Sequence, residues 1–290
     1  MQKIRTVSVL PTLFTLANLI CGFFAIVVAA RVDPPSTAET PQSAAIGTMN
    51  PIKAYRSLDK EDPVHNCMLS GWLIFMAMIF DALDGHVARL AKTTSDFGAQ
   101  LDSLCDVVSF GVAPAFLLVK ICPRFEFAHH EIVWVIAALY AACAAMRLAR
   151  FNVETDEADD HLHFTGLPSP AAAAVIASFA ILFYTLRKVT NTHAYAQPLD
   201  NVMQYALPLF AVLVAILMVS RIPYPHVVNQ LFRGQQSFAH VAMVVLFLAA
   251  VMLVRGFAVP LVSVVFVLQG PAAYLWQEYI QRRPHKEPLF

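Results

Sequence analysis

Charged residues are scarce in this sequence: Lys, Arg, Asp and Glu make up 14% of its 290 residues, against about a quarter in a soluble globular domain. An excess of charge of either sign is also missing, because 20 basic residues balance 20 acidic ones. This balance excludes the basic footprint of a nucleic-acid-binding protein, so no nucleic-acid partner is predicted. The five cysteines lie far apart and include no Cys-x-x-Cys pair, which argues against a zinc knuckle and against a disulfide scaffold.

Apolar residues are abundant instead, at 58% of the chain. A helix needs about 20 consecutive apolar residues to cross the hydrocarbon core of a bilayer, and the sequence contains about eight runs of this kind. The runs are Ser8–Ala30, Cys67–Leu90, Asp96–Ile121, Ile132–Phe151, Pro168–Leu186, Tyr205–Ser220, Phe238–Val254 and Phe257–Trp276. The predicted fold class is therefore all-α, a polytopic transmembrane helix bundle of about eight spans. A slight excess of Lys and Arg at alternate span ends favours an orientation with both termini inside.

Four aspartates interrupt the second and third apolar runs, where a charged side chain costs about 2.5–3.5 kcal/mol near the bilayer centre. They are Asp81, Asp84, Asp102 and Asp106. At about 100° per residue, the first two share a helix face with Gly85 and Ala88, and the last two share a face with Gly98. A short turn joins the two helices, so we expect antiparallel neighbours whose acidic faces meet.

Carboxylates that converge in a low-dielectric environment repel one another, and divalent cations relieve this repulsion. Oxygen-only ligands favour the hard ions Mg²⁺ and Mn²⁺, with Ca²⁺ also possible, and four carboxylates suit two ions better than one. Arg89 follows one turn after Gly85 and can reach an anion held by the ions, which predicts a phosphate site. The alternatives are that single aspartates form structural hydrogen bonds, that they line the path of a cation transporter, or that the glycines only permit close helix packing.

The spacing from Asp81 to Asp106 reads Asp-x-x-Asp-Gly-x-x-Ala-Arg, eight residues, Gly, three residues, Asp, three residues, Asp. This pattern resembles the signature of the CDP-alcohol phosphatidyltransferase family at every defined position. The resemblance implies an integral membrane enzyme that transfers a phosphatidyl group from CDP-diacylglycerol to an alcohol and releases CMP. It also implies a pair of divalent cations, a homodimer, and a catalytic core over roughly residues 1–190. Because one packed bundle of helices is expected, we predict a single domain spanning 1–290. Further membrane helices over roughly 200–276 and a basic tail over 277–290 complete that domain.

The resemblance also assigns roles to residues. Asp81, Asp84 and Asp102 would bind the metal ions, and Asp106 would both bind metal and act as the catalytic base. The residues lining the CDP-diacylglycerol pocket would be Gly85, Ala88, Arg89 and Gly98. Two polar residues one turn apart in the first span, Thr15 and Asn18, could contact the nucleotide or form hydrogen bonds across helices.

Three shorter stretches resemble the serine-using branch of the family: Leu10–Asn18, Arg147–Asn152 and Phe164–Pro170. L-serine is therefore the expected acceptor, although glycerol-3-phosphate or an inositol phosphate stays an alternative. The carboxylate of free serine needs a cationic partner, and Arg147 or Arg150 could supply it, with Asn152 adding hydrogen bonds. Both arginines could instead be topology anchors. We expect the enzyme to lie in the inner cell membrane with its active site facing the cytoplasm.

Overall fold

A computed structural model describes residues 9–32, 63–91, 96–122, 131–157, 166–190, 196–222, 224 and 258–281. Within these ranges every regular element is helical: α1 (Val9–Ala30), α2 (Pro63–Ala91), α3 (Asp96–Asp106), a π-helical segment (Val107–Val112), α4 (Ala113–Ile121), α5 (Ile132–Glu157), α6 (Ser169–Thr190), α7 (Ala196–Val219) and α8 (Ala258–Gln281). Seven helices of the described residues, counting α3 to α4 as one, are long and apolar enough to cross a membrane. The all-α prediction is confirmed, and the protein is an integral membrane protein.

Seven of the eight predicted spans coincide with these helices, and the eighth, Phe238–Val254, lies outside the described residues. Two helices run well beyond the apolar stretch that predicted them. Helix α5 continues to Glu157, past the predicted end at Phe151, and α7 begins at Ala196 rather than Tyr205. Apolar length therefore predicts the part of a helix that lies in lipid, and the helix itself can extend into the polar region.

The third span is helical from Asp96 to Ile121, as predicted, and contains a π-helical turn over Val107–Val112. The N–H of Ala113 donates to the carbonyl of Val108, five residues earlier. An α-helical pattern would need an N–H at residue 114, which is a proline, to satisfy the carbonyl of Phe110. The buried Tyr140 hydroxyl of α5 donates to that carbonyl instead, at 3.2 Å. A proline and a distant tyrosine thus account for the local change of register.

Helix α1 is the element that joins the two aspartate-bearing helices. It packs against α2, α3, the π segment and α4. Helix α2 packs against α4 and the π segment, so the second and third spans are neighbours, as predicted. The acidic side chains of the two spans meet beside α1.

Helix α6 lies at the centre of the bundle and packs against α2, α4, α7 and α8. A Cβ atom added to Gly71 of α2 would lie 2.8 Å from the carbonyl oxygen of Ala177, so the missing side chain sets the distance between α2 and α6. The last helix is attached through Tyr224, whose hydroxyl donates to the carbonyl of Val267 at 3.0 Å. These contacts hold α2 and α8 in the bundle.

The segment that leads into α6 is bound to the end of α7. Gly166 has a φ of 89°, and its N–H donates to the carbonyl of Ile222 at 2.9 Å. The N–H of Leu167 donates to the carbonyl of Leu217 at 3.0 Å. A left-handed backbone conformation suits glycine, because a Cβ atom would be strained there. The turn fixes the first residue of α6, Ser169, beside α5.

Candidate metal and substrate site

Three carboxylates from two membrane spans converge at one end of the bundle. One oxygen each of Asp81 on α2 and of Asp102 and Asp106 on α3 lie within 4.8 Å of one another. A divalent cation with ligands at about 2.1–2.6 Å places its ligand oxygens up to about 5 Å apart, so these three atoms can share an ion. The prediction that the acidic faces of the two spans meet is confirmed for these residues, and this group could hold a metal ion.

Asp84 is the fourth carboxylate, one turn after Asp81 on α2. Its side chain is 5% exposed, and its charge interacts with those of Asp81 and Asp102. It lies outside the set of oxygens within 4.8 Å, so the structure groups three of the four predicted ligands most tightly.

The carboxylate oxygens themselves test whether the site suits a cation. Among the described residues, no hydrogen-bond donor reaches the buried Oδ2 of Asp84 or the buried Oδ1 of Asp102. An unsatisfied buried carboxylate oxygen is costly, and a bound cation supplies the missing partner. No histidine or cysteine joins the described metal-binding group, so its chemistry fits Mg²⁺ or Mn²⁺ better than zinc.

Asp106 is fixed by α1. The Nδ2 amide of Asn18, which is fully buried, donates to Oδ1 of Asp106 at 3.0 Å. The buried hydroxyl of Ser109 in the π segment donates to the backbone carbonyl of Asn18 at 3.0 Å. Thr15, one turn before Asn18, donates to the carbonyl of Pro11 and also lies close to the Asp84 carboxylate. Both polar residues predicted in the first span therefore contact aspartates of the site.

The residues predicted to line the nucleotide pocket are described to different extents. Gly85 is exposed, and a Cβ atom added to it would meet no atom within 4 Å, so open space adjoins the carboxylates on α2. Gly98 lies near the start of α3 and is partly buried. Ala88 and Arg89 belong to the last turns of α2, and their side chains are not among those that the structure describes.

The three residues predicted to bind the acceptor have distinct surroundings. Arg147 donates from Nη1 to the Ser169 hydroxyl at 2.9 Å, interacts with the charge of Asp106, and has a buried Nε without a partner among the described residues. Arg150 donates to the carbonyls of Val219 and Ser220, at the end of α7. The amide of Asn152 donates to the Ser103 hydroxyl at 2.9 Å, on the helix that carries Asp102.

Several polar contacts of the site were not predicted from the sequence. They involve Ser103, Ser109, Tyr140 and Ser169, each of which bonds to a residue at least 22 positions away in the chain. Serine is common at helix contacts in membranes, so these residues carried no distinctive signal. The Ser-Pro pair at residues 169 and 170 predicts a helix start, but not the arginine that contacts it.

The fold and the site define a class of protein: a polytopic membrane protein with a buried, oxygen-only site suited to a hard divalent cation. Residues 8–220 match the CDP-alcohol phosphatidyltransferase family. The chain belongs to this family.

Individual relatives have names that specify serine. The chain is 39% identical over 160 residues to a CDP-diacylglycerol–serine O-phosphatidyltransferase of Methanocaldococcus jannaschii, covering 55% of this chain and 65% of the relative. It is 31% identical over 218 residues to the enzyme of the same name from Mycobacterium leprae, covering 73% and 67%. It is 36% identical over 158 residues to an archaetidylserine synthase of Methanothermobacter thermautotrophicus, covering 53% and 57%. The chain therefore spans less than two thirds of the length of the first and last of these relatives.

Proposed function

We propose that the protein transfers a phosphatidyl group from CDP-diacylglycerol to L-serine and releases CMP. The observation that carries this proposal is the convergence of Asp81, Asp102 and Asp106 within 4.8 Å in a chain of this family. The serine acceptor is supported by the relatives, whose names specify phosphatidylserine or archaetidylserine chemistry.

In this proposal the four aspartates hold two divalent cations, Mg²⁺ or Mn²⁺. Bound cations would supply positive charge to the pyrophosphate oxygens of the donor. Asp106 accepts the proton of the serine hydroxyl, whose oxygen forms a bond to the phosphorus on the diacylglycerol side. The bond from that phosphorus to the CMP phosphate breaks at the opposite side, and CMP leaves. Arg89 steadies the negative charge of the leaving phosphate, and no covalent enzyme intermediate is required.

The site lies at the end of the bundle where α1 begins and α2 ends, which is the cytoplasmic end if the N-terminus is inside. This orientation gives the water-soluble serine and CMP access to the site from the cytoplasm, and the donor lipid access from the inner cell membrane. The family resemblance supports a homodimer as the working assembly.

For the acceptor carboxylate, Arg147 is the better of the two arginines. The guanidinium of Arg150 already donates to two carbonyls at the end of α7. Arg147 lies near Asp106, and its buried Nε has no partner in the part of the chain that the structure describes. Arg147 also contacts Ser169 at the N-terminus of α6, where the helix dipole favours an anion. A serine carboxylate bound there would bring its hydroxyl towards the base.

Replacing Arg147 with lysine is expected to raise the KM for serine by roughly 10- to 100-fold, because a charge-assisted hydrogen bond of about 1.5–3 kcal/mol is lost. The KM for CDP-diacylglycerol should change by less than about twofold, since Arg147 does not contact the donor in this scheme. Steady-state assays with each substrate varied separately measure both constants. Lys120→Arg, near the opposite end of the bundle, is the matched control. If Arg150→Lys raises the serine KM and Arg147→Lys does not, the serine carboxylate binds Arg150 instead.

Replacing Gly85 with alanine is expected to leave the fold intact and raise the KM for CDP-diacylglycerol by about 10-fold or more, because a methyl group in a tight binding surface costs about 1–3 kcal/mol. The structure leaves room for the methyl group, and alanine favours helix. Thermal unfolding in detergent should therefore be unchanged. Gly71→Ala is the contrasting variant and should lose stability, because its Cβ would meet Ala177. An unchanged donor KM in Gly85→Ala would remove this residue from the pocket.

The proposed function is tested with the purified protein, CDP-diacylglycerol, Mn²⁺ or Mg²⁺, and a panel of labelled alcohols. We expect labelled phospholipid and CMP with serine, and neither product after chelation of the metal. If glycerol-3-phosphate or an inositol phosphate gives product and serine gives none, serine is not the acceptor, but the proposed transfer reaction still holds. Cation flux in vesicles without CMP release would indicate a transporter and overturn the proposal.

A further inference from the structure

Two hydrogen bonds connect the π segment to the proposed base through α1. The Ser109 hydroxyl donates to the backbone carbonyl of Asn18, and the Asn18 side chain donates to Oδ1 of Asp106. Ser109 and Asn18 are both fully buried. Asp106 and Ser109 lie three residues apart on the same span, and Asn18 of α1 forms one hydrogen bond with each of them.

The close approach of the two spans depends on a glycine. A Cβ atom added to Gly22, one turn after Asn18, would lie 2.7 Å from the Cα of Ser109 and would also overlap its hydroxyl. Only a residue without a side chain lets the Ser109 hydroxyl reach the Asn18 carbonyl. The π segment starts directly after Asp106, so Ser109 lies outside the α-helical register of α3.

The hydrogen bond from Asn18 occupies one oxygen of Asp106 and leaves the other for a cation or for the acceptor proton. A carboxylate that rotates freely about its side-chain bonds would offer either oxygen in many orientations. Restricting that rotation places the reacting oxygen in a fixed direction, and misplacement by about 1 Å can cost about 100-fold in rate.

We propose that Ser109 is a positioning residue that acts through Asn18 to orient the Asp106 carboxylate. The proposal rests on the proposed function in one respect, namely that Asp106 is the base and a metal ligand. Ser109 itself contacts neither substrate nor cation in this scheme. Its contribution is to fix the part of α1 from which Asn18 reaches the aspartate.

The test uses the full chain in detergent, with Mn²⁺ alone as a binding probe and CMP release as the assay. Ser109→Ala is expected to lower kcat by roughly 10-fold or more and to weaken Mn²⁺ affinity by a similar factor, because supporting hydrogen bonds of a metal site typically contribute about 10–100-fold. The KM for CDP-diacylglycerol should stay within about twofold of the wild type. Free Mn²⁺ is measured by electron paramagnetic resonance, which does not depend on turnover.

Ser70→Ala is the matched control. The buried Ser70 hydroxyl donates from α2 to the carbonyl of Ala25 on α1 at 2.9 Å, so this variant removes the same type of interhelical bond onto the same helix. Ser70→Ala should leave kcat and Mn²⁺ affinity unchanged. If both serine variants lower kcat and Mn²⁺ affinity equally, Ser109 has only a general packing role and the proposal fails.

A double-mutant cycle gives the decisive comparison. If Ser109 acts through the Asn18 side chain, Ser109→Ala should have no further effect on kcat in an Asn18→Ala background. Additive effects would overturn the proposal. If Ser109→Ala does not yield folded protein, Thr and Val at position 109 have nearly the same shape, and only the threonine keeps the hydroxyl. Higher activity and Mn²⁺ affinity in Ser109→Thr than in Ser109→Val supports the proposal, and equal values contradict it.

The outcomes also separate this proposal from the proposed function. An inactive Asp106→Asn together with a fully active Ser109→Ala would reject only the positioning role. A fully active Asp106→Asn would reject the base itself, whatever the Ser109 variants show.

Discussion

Replacing Asp106 with asparagine is expected to lower the rate of CMP release by about 1,000-fold or more while the protein stays folded. The amide has nearly the same size as the carboxylate, and its oxygen can still accept the hydrogen bond from Asn18. It cannot take a proton from the acceptor hydroxyl, and it is a weak ligand for a hard cation. The measurement is CMP release at saturating serine and donor, together with thermal unfolding in detergent.

Glu131→Gln provides the matched control for the loss of one negative charge. Glu131 is exposed, lies just before α5, and does not belong to the metal-binding group. Its replacement should leave CMP release unchanged. Activity of Asp106→Asn that returns at high Mn²⁺ would assign Asp106 as a metal ligand only, and near-normal activity at ordinary Mn²⁺ would contradict both roles.

The membrane spans could be predicted because apolar length is a local property of the sequence. The helix ends could not, because a helix that leaves the lipid continues as long as its backbone hydrogen bonds are favourable in water. Helix α5 continues past Phe151, where the apolar run that predicted it ends, and carries Asn152, whose side chain bonds to Ser103 on another helix. Charge ends an apolar run without ending the helix.

The aspartates of the site could be predicted because their spacing puts each pair on one helix face, which is again a local property. The bonds that hold them are between distant residues: Asn18 and Asp106 are 88 positions apart, and Ser109 and Asn18 are 91 apart. Such bonds depend on which helices pack together, and here α1 packs against α2, α3, the π segment and α4. Sequence spacing within a helix carries no information about that arrangement.

The π segment could also be predicted only in part. Pro114 removes the N–H that would satisfy the Phe110 carbonyl, and this much can be read from the sequence. Prolines are nevertheless tolerated inside membrane helices when other groups satisfy the freed carbonyl. Pro271 in α8 is an example, because the Tyr224 hydroxyl donates to the carbonyl of Val267, four residues earlier. At Phe110 the group that satisfies the freed carbonyl is the hydroxyl of Tyr140, which lies on another helix.

Replacing Asp102 with asparagine is expected to abolish metal-dependent activity and at the same time to stabilise the metal-free protein. Asp102 belongs to the three-carboxylate group, its Oδ1 has no hydrogen-bond partner among the described residues, and its charge interacts with that of Asp84. Removing one negative charge from this group relieves repulsion between like charges, so the metal-free variant should unfold at a higher temperature than the metal-free wild type.

With added Mn²⁺, the wild type should instead unfold at a higher temperature than Asp102→Asn. A cation at 100 times its Kd stabilises the wild type by about 2.7 kcal/mol, because it binds the folded protein only, whereas the variant lacks a ligand and should gain much less. Thermal unfolding of both proteins with and without Mn²⁺ measures the four midpoints, and CMP release measures the loss of activity. A structural aspartate would show a different pattern: its replacement would lower the midpoint in the absence of metal and leave the response to Mn²⁺ unchanged. That result would reject a cation shared by α2 and α3, on which the proposed chemistry depends.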